Sequence, residues 1–212
     1  MKHYEGRLED LKNRYNRHLR KLTNQDLEFF SLLKQADLME LKTVLGDINN
    51  LLTLKMTIAA ANWICYYFHF NDKEKEKVLT KIDGTKPNSK GFDIHITEPY
   101  KIIAEVKCNS PVNNGEKFGA AQHDSILNDV HKLIHGKGNT SDTASYIKFL
   151  FLIDLEGRTT QAISHLIQTT KGKTATADKY NKLKNESIAI LKDETISSLD
   201  LNKVYIKTIQ VH

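Results

Sequence analysis

Gly91-Phe92-Asp93-Ile94-His95-Ile96, a turn at Glu98-Pro99, and then Ile102-Ile103-Ala104-Glu105-Val106-Lys107 decide how this chain reads. From Phe92 to Thr97 the residues alternate. Phe92, Ile94 and Ile96 fall on one face and Asp93 and His95 on the other, the period of a half-buried strand. Tyr100 to Lys107 reads as a second strand, so the two segments are expected to form a hairpin. Side chains two apart on a strand share a face. Glu105 and Lys107 therefore point together, while Ala104 and Val106 point the other way into packing. Asp93 stands across the hairpin from them.

Working outward, Cys108 to Gly119 is a polar loop with Pro, Gly and three Asn. Ala120 to His135 has a helical apolar face of Ile126, Val130, Leu133 and Ile134, with Gly136 as its stop. Tyr146 to Leu155 is almost continuously apolar, as a strand covered on both faces should be. A helix is expected over Thr160 to Thr169 and a last strand over Val204 to Val211. Thr170 to Lys184, rich in Lys and Thr, is expected to be mobile. Upstream, Gly84 to Gly91 is dense in turn formers.

The chain to about Phe70 reads as helical. Leu8, Leu11, Tyr15, Leu19 and Leu22 recur at helical spacing. Asn24 or Asp26 would cap a second helix carrying Leu27, Phe30, Leu33 and Leu38, and Asp47 would cap a third, apolar one. The charge run Asp72 to Lys77 reads as a solvated helix end or linker. Helices followed by a sheet with interleaved helices predict an α/β sandwich with an N-terminal helical extension. Residues 1–72 are assigned to the helical region and 73–212 to the α/β core, in one compact unit.

Composition narrows the function classes. The chain has 212 residues, 27% of them charged and 40% hydrophobic, with three prolines and ten glycines. Those values fit an ordinary folded domain and not a disordered or Pro-rich chain. The net charge of +5 favours an anionic partner. Cys65 and Cys108 are too few for a disulfide framework or a four-cysteine zinc site, and read as reduced thiols in a reducing, cytoplasmic compartment. The N-terminus lacks the apolar core of a signal peptide. Leu51 to Phe70 is long enough to span a bilayer, but Lys55, Asn62 and His69 interrupt it; it reads as a core helix, and no membrane partner is expected. Neither G-x-x-x-x-G-K-[ST] nor G-x-G-x-x-G occurs, so no nucleotide cofactor is expected. There is no G-x-S-x-G elbow. His131 and His135 have zinc-binding spacing, but Lys132 stands where a zinc protease needs glutamate.

The hairpin carries the chemistry. Two carboxylates converging beside an ammonium on a rigid sheet suit metal-assisted hydrolysis. Carboxylates are hard oxygen ligands for Mg²⁺, and the ion polarises a phosphate and lowers the pKa of a water. A lysine can orient that water and offset phosphate charge. Glu-x-Lys alone means little, since Glu40-Leu41-Lys42 repeats it in a helical stretch, where residues two apart diverge. Only the copy at Glu105 has strand context and an acidic residue on the neighbouring strand. The competing reading is a half-exposed hairpin edge on which Asp93 and Lys107 neutralise each other.

Asp93, eleven intervening residues and Glu105-Val106-Lys107 resemble the core motif of the PD-(D/E)xK nuclease superfamily, which includes many type II restriction endonucleases. The resemblance covers about Ile82 to Leu155. It implies a restriction-endonuclease-like three-layer sandwich with a mixed central sheet, and metal-dependent phosphodiester hydrolysis. It implies Asp93 and Glu105 as metal ligands, with the main-chain carbonyl of Val106 as a third, and Lys107 as the catalytic lysine. Mg²⁺ is the expected cofactor, with Mn²⁺ able to substitute. Phe92 stands where the motif has proline. An upstream helix often adds a glutamate; Glu74 and Glu76 are near in sequence but belong to the charge run. Gln122 is followed by Ile126, where an exonuclease-like branch has tyrosine.

The expected substrate is double-stranded DNA, and cutting both strands implies a homodimer with two-fold symmetry. A helix starting near Ala120 would bring Gln122 and His123 to the scissile phosphate at its N-terminus. Asn109, Ser110 and Lys117 in the preceding loop could reach bases or backbone. Lys171, Lys173, Lys179, Lys182 and Lys184, with the N-terminal Arg7, Arg14, Arg17, Arg20 and Lys21, would add sequence-independent phosphate contacts. Two other readings stand beside this one: a nucleic-acid-binding or assembly subunit that keeps the fold without cleaving, and a helical interaction protein.

Overall fold

The computed structural model describes residues 2–85, 90–112, 115–138, 140–154, 156–169, 175–192 and 194–211, apart from the side chains of 2–4, 175–177 and 179. The chain divides into two compact units, Met1–Ile48 and Asn49–His212.

In the first unit, α1 (Lys2–Thr23) forms on the predicted leucine spacing and is followed by a single turn, α2 (Phe29–Leu32). Asn16 is almost fully buried; its amide donates to Glu28 Oε2 at 2.5 Å and its carbonyl oxygen accepts the Phe30 N–H at 2.8 Å, tying that turn to α1. The second helix is therefore four residues long and starts after Glu28, not at Asn24 or Asp26. The third is not capped by Asp47 either. A single helix, α3, runs from Gln35 to Tyr67, and the Lys34 N–H at its start donates to Asp37 Oδ2 at 2.7 Å. Asp47 lies on its exposed surface. An exposed aspartate and one glycine cost a helix interior only about 1 kcal/mol or less each, too little to break it without a proline.

The second unit takes up the rest of α3. The charge run is the start of α4 (Asp72–Asp83), not a linker: Asn71 and Glu74 form a reciprocal capping box, with the Glu74 N–H on Asn71 Oδ1 at 3.0 Å and the Asn71 N–H on Glu74 Oε2 at 2.8 Å. A five-stranded sheet follows, built of β1 (Ile94–Ile96), β2 (Ile102–Lys107), β3 (Ile147–Ile153), β4 (Ile188–Ile190) and β5 (Val204–Ile209), in the order β1-β2-β3-β5-β4. β1 pairs antiparallel with β2, and the remaining pairs are parallel. The sheet is mixed, and β3 sits at its centre, as its apolar run from Phe149 to Ile153 requires.

Alternating residues of the strands feed two cores. Ile102, Ala104, Val106, Phe149, Phe151 and Tyr205 pack with Met56, Ala60 and Ile64 of α3, with Phe68 just past its end, and with Val78 and Ile82 of α4. Ile103, Leu150, Leu152, Val204 and Ile206 pack on the other face with α5 (Ala120–His135), α6 (Arg158–Gln168) and α7 (Ala175–Ser187). The architecture is α/β, with helices on both faces of the sheet. Among the described residues no helix is long and apolar enough to cross a membrane.

Three expectations are corrected here. The first strand is shorter than Phe92 to Thr97, and Phe92 does not share a core with Ile94 and Ile96; it joins the opposite one, because the chain leaves the strand at Asp93 and the two-residue period ends there. Much of the segment expected to be mobile is helical: Tyr180 and Leu183, three apart, bury one face of α7, whereas 170–174 lie outside the described residues. The short strand β4, directly after α7, was not anticipated.

Candidate active site

β2 places the motif by its alternation. Ala104 and Val106 are sunk in the core under α3 and α4, so Glu105 and Lys107 face the side of Ile103, toward α5. The β1–β2 ladder ends at Ile94 opposite Ala104. One residue further back, Asp93 replaces the missing rung with its side chain, and its Oδ2 accepts the Val106 N–H at 2.8 Å. That bond fixes the Asp93 carboxylate beside the Glu105–Lys107 segment. Asp93, Glu105, Val106, Lys107 and Asn109 line one cleft of about 790 Å³, together with Asn49, Asn50 and Thr53 of α3.

The electrostatics involve three residues that the sequence reading missed. Asp129, from α5, is 3% exposed and lines the same cleft. Lys132 Nζ donates to its Oδ1 at 2.8 Å, and Lys107 Nζ lies 2.6 Å from its Oδ2 as an ion pair without hydrogen-bond alignment. Lys137, just past the end of α5, donates to Glu105 Oε1 at 2.5 Å. Three carboxylates are thus interleaved with three lysines. Glu105 is the most perturbed group. Burial, the Asp93 charge and the Asp129 charge oppose its ionisation, Lys137 favours it, and the balance pushes its pKa up to about 8 from 4.5. A signal for Asp129 exists in the sequence: it lies three residues after Ile126 and four before Leu133, so a carboxylate interrupts the apolar stripe of a helix. Lys137 carried only the hint of glycines on both sides.

The other expected contacts are placed differently. Gln122 is engaged in local structure, accepting the Gly119 N–H at 3.1 Å and donating to the Ser110 carbonyl at 3.1 Å. His123 Nε2 lies 3.1 Å from Lys184 Nζ, and that ammonium also donates to the Thr169 carbonyl at 2.7 Å. Lys184 is 3% exposed, which corrects its reading as a phosphate-contacting surface lysine. Lys117 is exposed and bridges Val112 through the main chain. Ser110, Lys117, Gln122, His123 and Lys182 are not in the lining of the cleft. Lys182 is solvent-exposed, 3.9 Å from Glu186. The side chain of Lys179, and Lys171 and Lys173 altogether, lie outside the described residues. The rings of His131 and His135 lie against each other at a tilt of 46°, with centroids 4.3 Å apart. Both cysteines are free, and burial pushes the thiol of Cys108, at the cleft wall, up and away from the reactive thiolate.

Among the described residues no three His, Cys, Asp or Glu side chains converge as a metal-ligand group. Mg²⁺ does not require one: it is commonly held by one or two carboxylates and completes its shell with water and phosphate oxygens. Asp93 and Glu105 supply hard oxygens of the type such an ion takes, and the like charges crowding Glu105 are what a cation would relieve. The chain matches no protein-family model, no curated protein and no solved structure.

Proposed function

We propose that this protein is a Mg²⁺-dependent endonuclease of restriction type, with the PD-(D/E)xK nuclease fold and double-stranded DNA as its substrate. The observation that carries this reading is the gathering of Asp93, Glu105 and Lys107 in one cleft at the carboxyl end of β2, with Glu105 dehydrated among further carboxylates. The carboxyl ends of parallel strands are the usual place for ligands in open α/β sheets. Asp93 and Glu105 would hold the ion, helped by the Val106 carbonyl. When bound there, Mg²⁺ or Mn²⁺ would supply polarisation of the phosphodiester and a water of lowered pKa.

The chain's own groups do the rest. The Val106 N–H holds the Asp93 carboxylate in place. Asp129 keeps the Lys107 ammonium at the cleft wall, where it offsets phosphate charge and orients the attacking water. The core under α3 and α4 anchors β2, so the catalytic carboxylate rests on a rigid strand. Cutting both strands calls for a two-fold dimer, which presents one such cleft to each, and the compartment of action is the cytoplasm.

The test is nicking and linearisation of supercoiled plasmid with Mg²⁺ or Mn²⁺, against a chelator control. The parent protein should cut, and Asp93→Ala and Glu105→Ala should not. Cutting in excess chelator would refute the reading. A second reading has an observation of its own: Asp93, Glu105 and Asp129 each already have a partner within the chain, as a charge-compensated, non-cleaving nucleic-acid-binding subunit would require. Retention of plasmid DNA in a gel-shift assay, without nicking on any sequence-rich substrate, would favour it.

A further inference from the structure

We propose that Lys137 is a resident counter-cation of this site, holding the Glu105 carboxylate until a divalent ion takes that oxygen from it. The inference rests on the metal-binding reading of the cleft and adds a competitor to it.

The contact is direct. Lys137 Nζ lies 2.5 Å from Glu105 Oε1; the lysine side chain is 22% exposed and the carboxylate 4%. An ammonium and a metal ion compete for the same carboxyl oxygen, so one must retreat for the other to bind tightly.

The contact is also built. Gly136 and Gly138, on either side of Lys137, have φ of +101° and +59°. A Cβ on Gly136 would fall 2.6 Å from the Thr140 carbonyl oxygen, and one on Gly138 2.3 Å from the Lys90 carbonyl oxygen. Neither position tolerates a side chain. Between them Lys137 is pinned by paired main-chain bonds, its N–H on the Thr140 carbonyl at 3.0 Å and the Thr140 N–H on its own carbonyl at 3.1 Å. A glycine-flanked turn thus delivers one lysine to one buried carboxylate.

Lys137 also has somewhere to go. Its ammonium lies 5.9 Å from the centre of the Phe92 ring, whose face attracts cations. A lysine displaced from Glu105 keeps that ring as a second partner. Lys107 differs, because its ammonium is held by Asp129 and not by Glu105. Of these two lysines, Lys137 is the one that should compete with the ion for Glu105.

The experiment is Mn²⁺ binding to the DNA-free protein, followed by electron paramagnetic resonance of the free ion and by calorimetry. It compares the parent with Lys137→Met, Lys137→Gln, Lys107→Met and Glu105→Ala, with thermal melts in chelator as the fold control. Lys137→Met should bind Mn²⁺ on the order of tenfold more tightly than the parent. Lys107→Met should stay within about twofold by the same scale, and Glu105→Ala should lose the site. Lys137→Gln keeps a neutral donor for Glu105, should shift the same way, and serves if the methionine variant does not fold. Saturable binding that emerges only in the Lys137 variants would also support the proposal. Unchanged or weaker binding in the Lys137 variants, with Glu105-dependent binding in the parent, would overturn the proposal and leave the metal-site reading standing. No saturable binding in any variant, or binding indifferent to Glu105→Ala, would remove both.

Discussion

Replacing Glu105 with glutamine should make the metal-free protein more stable at alkaline pH. The Glu105 carboxyl ionises at about 8 in the folded chain, against 4.5 for an unperturbed glutamate. Between those values the folded state binds more protons than the unfolded one, so stability falls as pH rises. The contribution of the protonated group is fully present below pH 4.5 and is lost as pH climbs through 8. At the top of that window the charged form is opposed by roughly 5 kcal/mol as an upper bound. Glutamine removes the repulsion from Asp93 and Asp129 while still offering Lys137 an oxygen, but loses the attraction between opposite charges. A net gain of about 1–2 kcal/mol is expected, which for a chain of this size is a rise in melting temperature of roughly 2–8 °C. The assay is a thermal melt of the parent and Glu105→Gln in chelator, in steps from pH 4.5 to 9. The difference should vanish near pH 4.5 and grow towards pH 9. A variant that melts below its parent at pH 8.5, or a gain of equal size at both ends, would show that the carboxylate is not held against its charge.

Lys107→Met should reduce plasmid cleavage by about a hundredfold or more, the scale of general-acid–base and electrostatic groups, with only a small change in melting temperature, because Lys132 still holds Asp129; parent-like cleavage would show that Lys107 has no part in the reaction. Gly138→Ala should cost at least about 1–3 kcal/mol from the strained backbone alone, measured by urea unfolding; a neutral substitution would mean that the turn carrying Lys137 can adapt. Lys184→Ala should leave the Thr169 carbonyl short of a donor and destabilise by about 1–3 kcal/mol, without flattening the salt dependence of DNA binding; a flattened slope with intact stability would return Lys184 to the phosphate surface.

Much of the fold was legible in the sequence. The hairpin, α5 from Ala120 to His135, the central strand within Tyr146 to Leu155 and the last strand all rest on periodicity, and periodicity is imposed locally by which face must be buried. The shared face of Glu105 and Lys107 follows from the same two-residue period. The sequence pattern was weaker where a local signal had to compete with context. Asp47 looks like a helix boundary, yet it sits inside α3; the Asp72–Lys77 run is a helix end, as one half of its reading has it, and not a linker. A capping residue marks a helix start only when the chain outside it is pulled away, and nothing near Asp47 does so.

The site was half legible for a related reason. A motif shows which residues share one strand, and it therefore reaches Asp93, Glu105 and Lys107. It is blind to groups delivered from 22 to 32 residues away, which is how far Asp129 and Lys137 stand from the β2 side chains they touch. By itself, the sequence determined the alternation that puts carboxylate and lysine on one face of β2. The tertiary structure decided which charges meet there. Ion pairing depends on distance and dehydration, and only the packing of α5 and its glycine turn against the strand sets both.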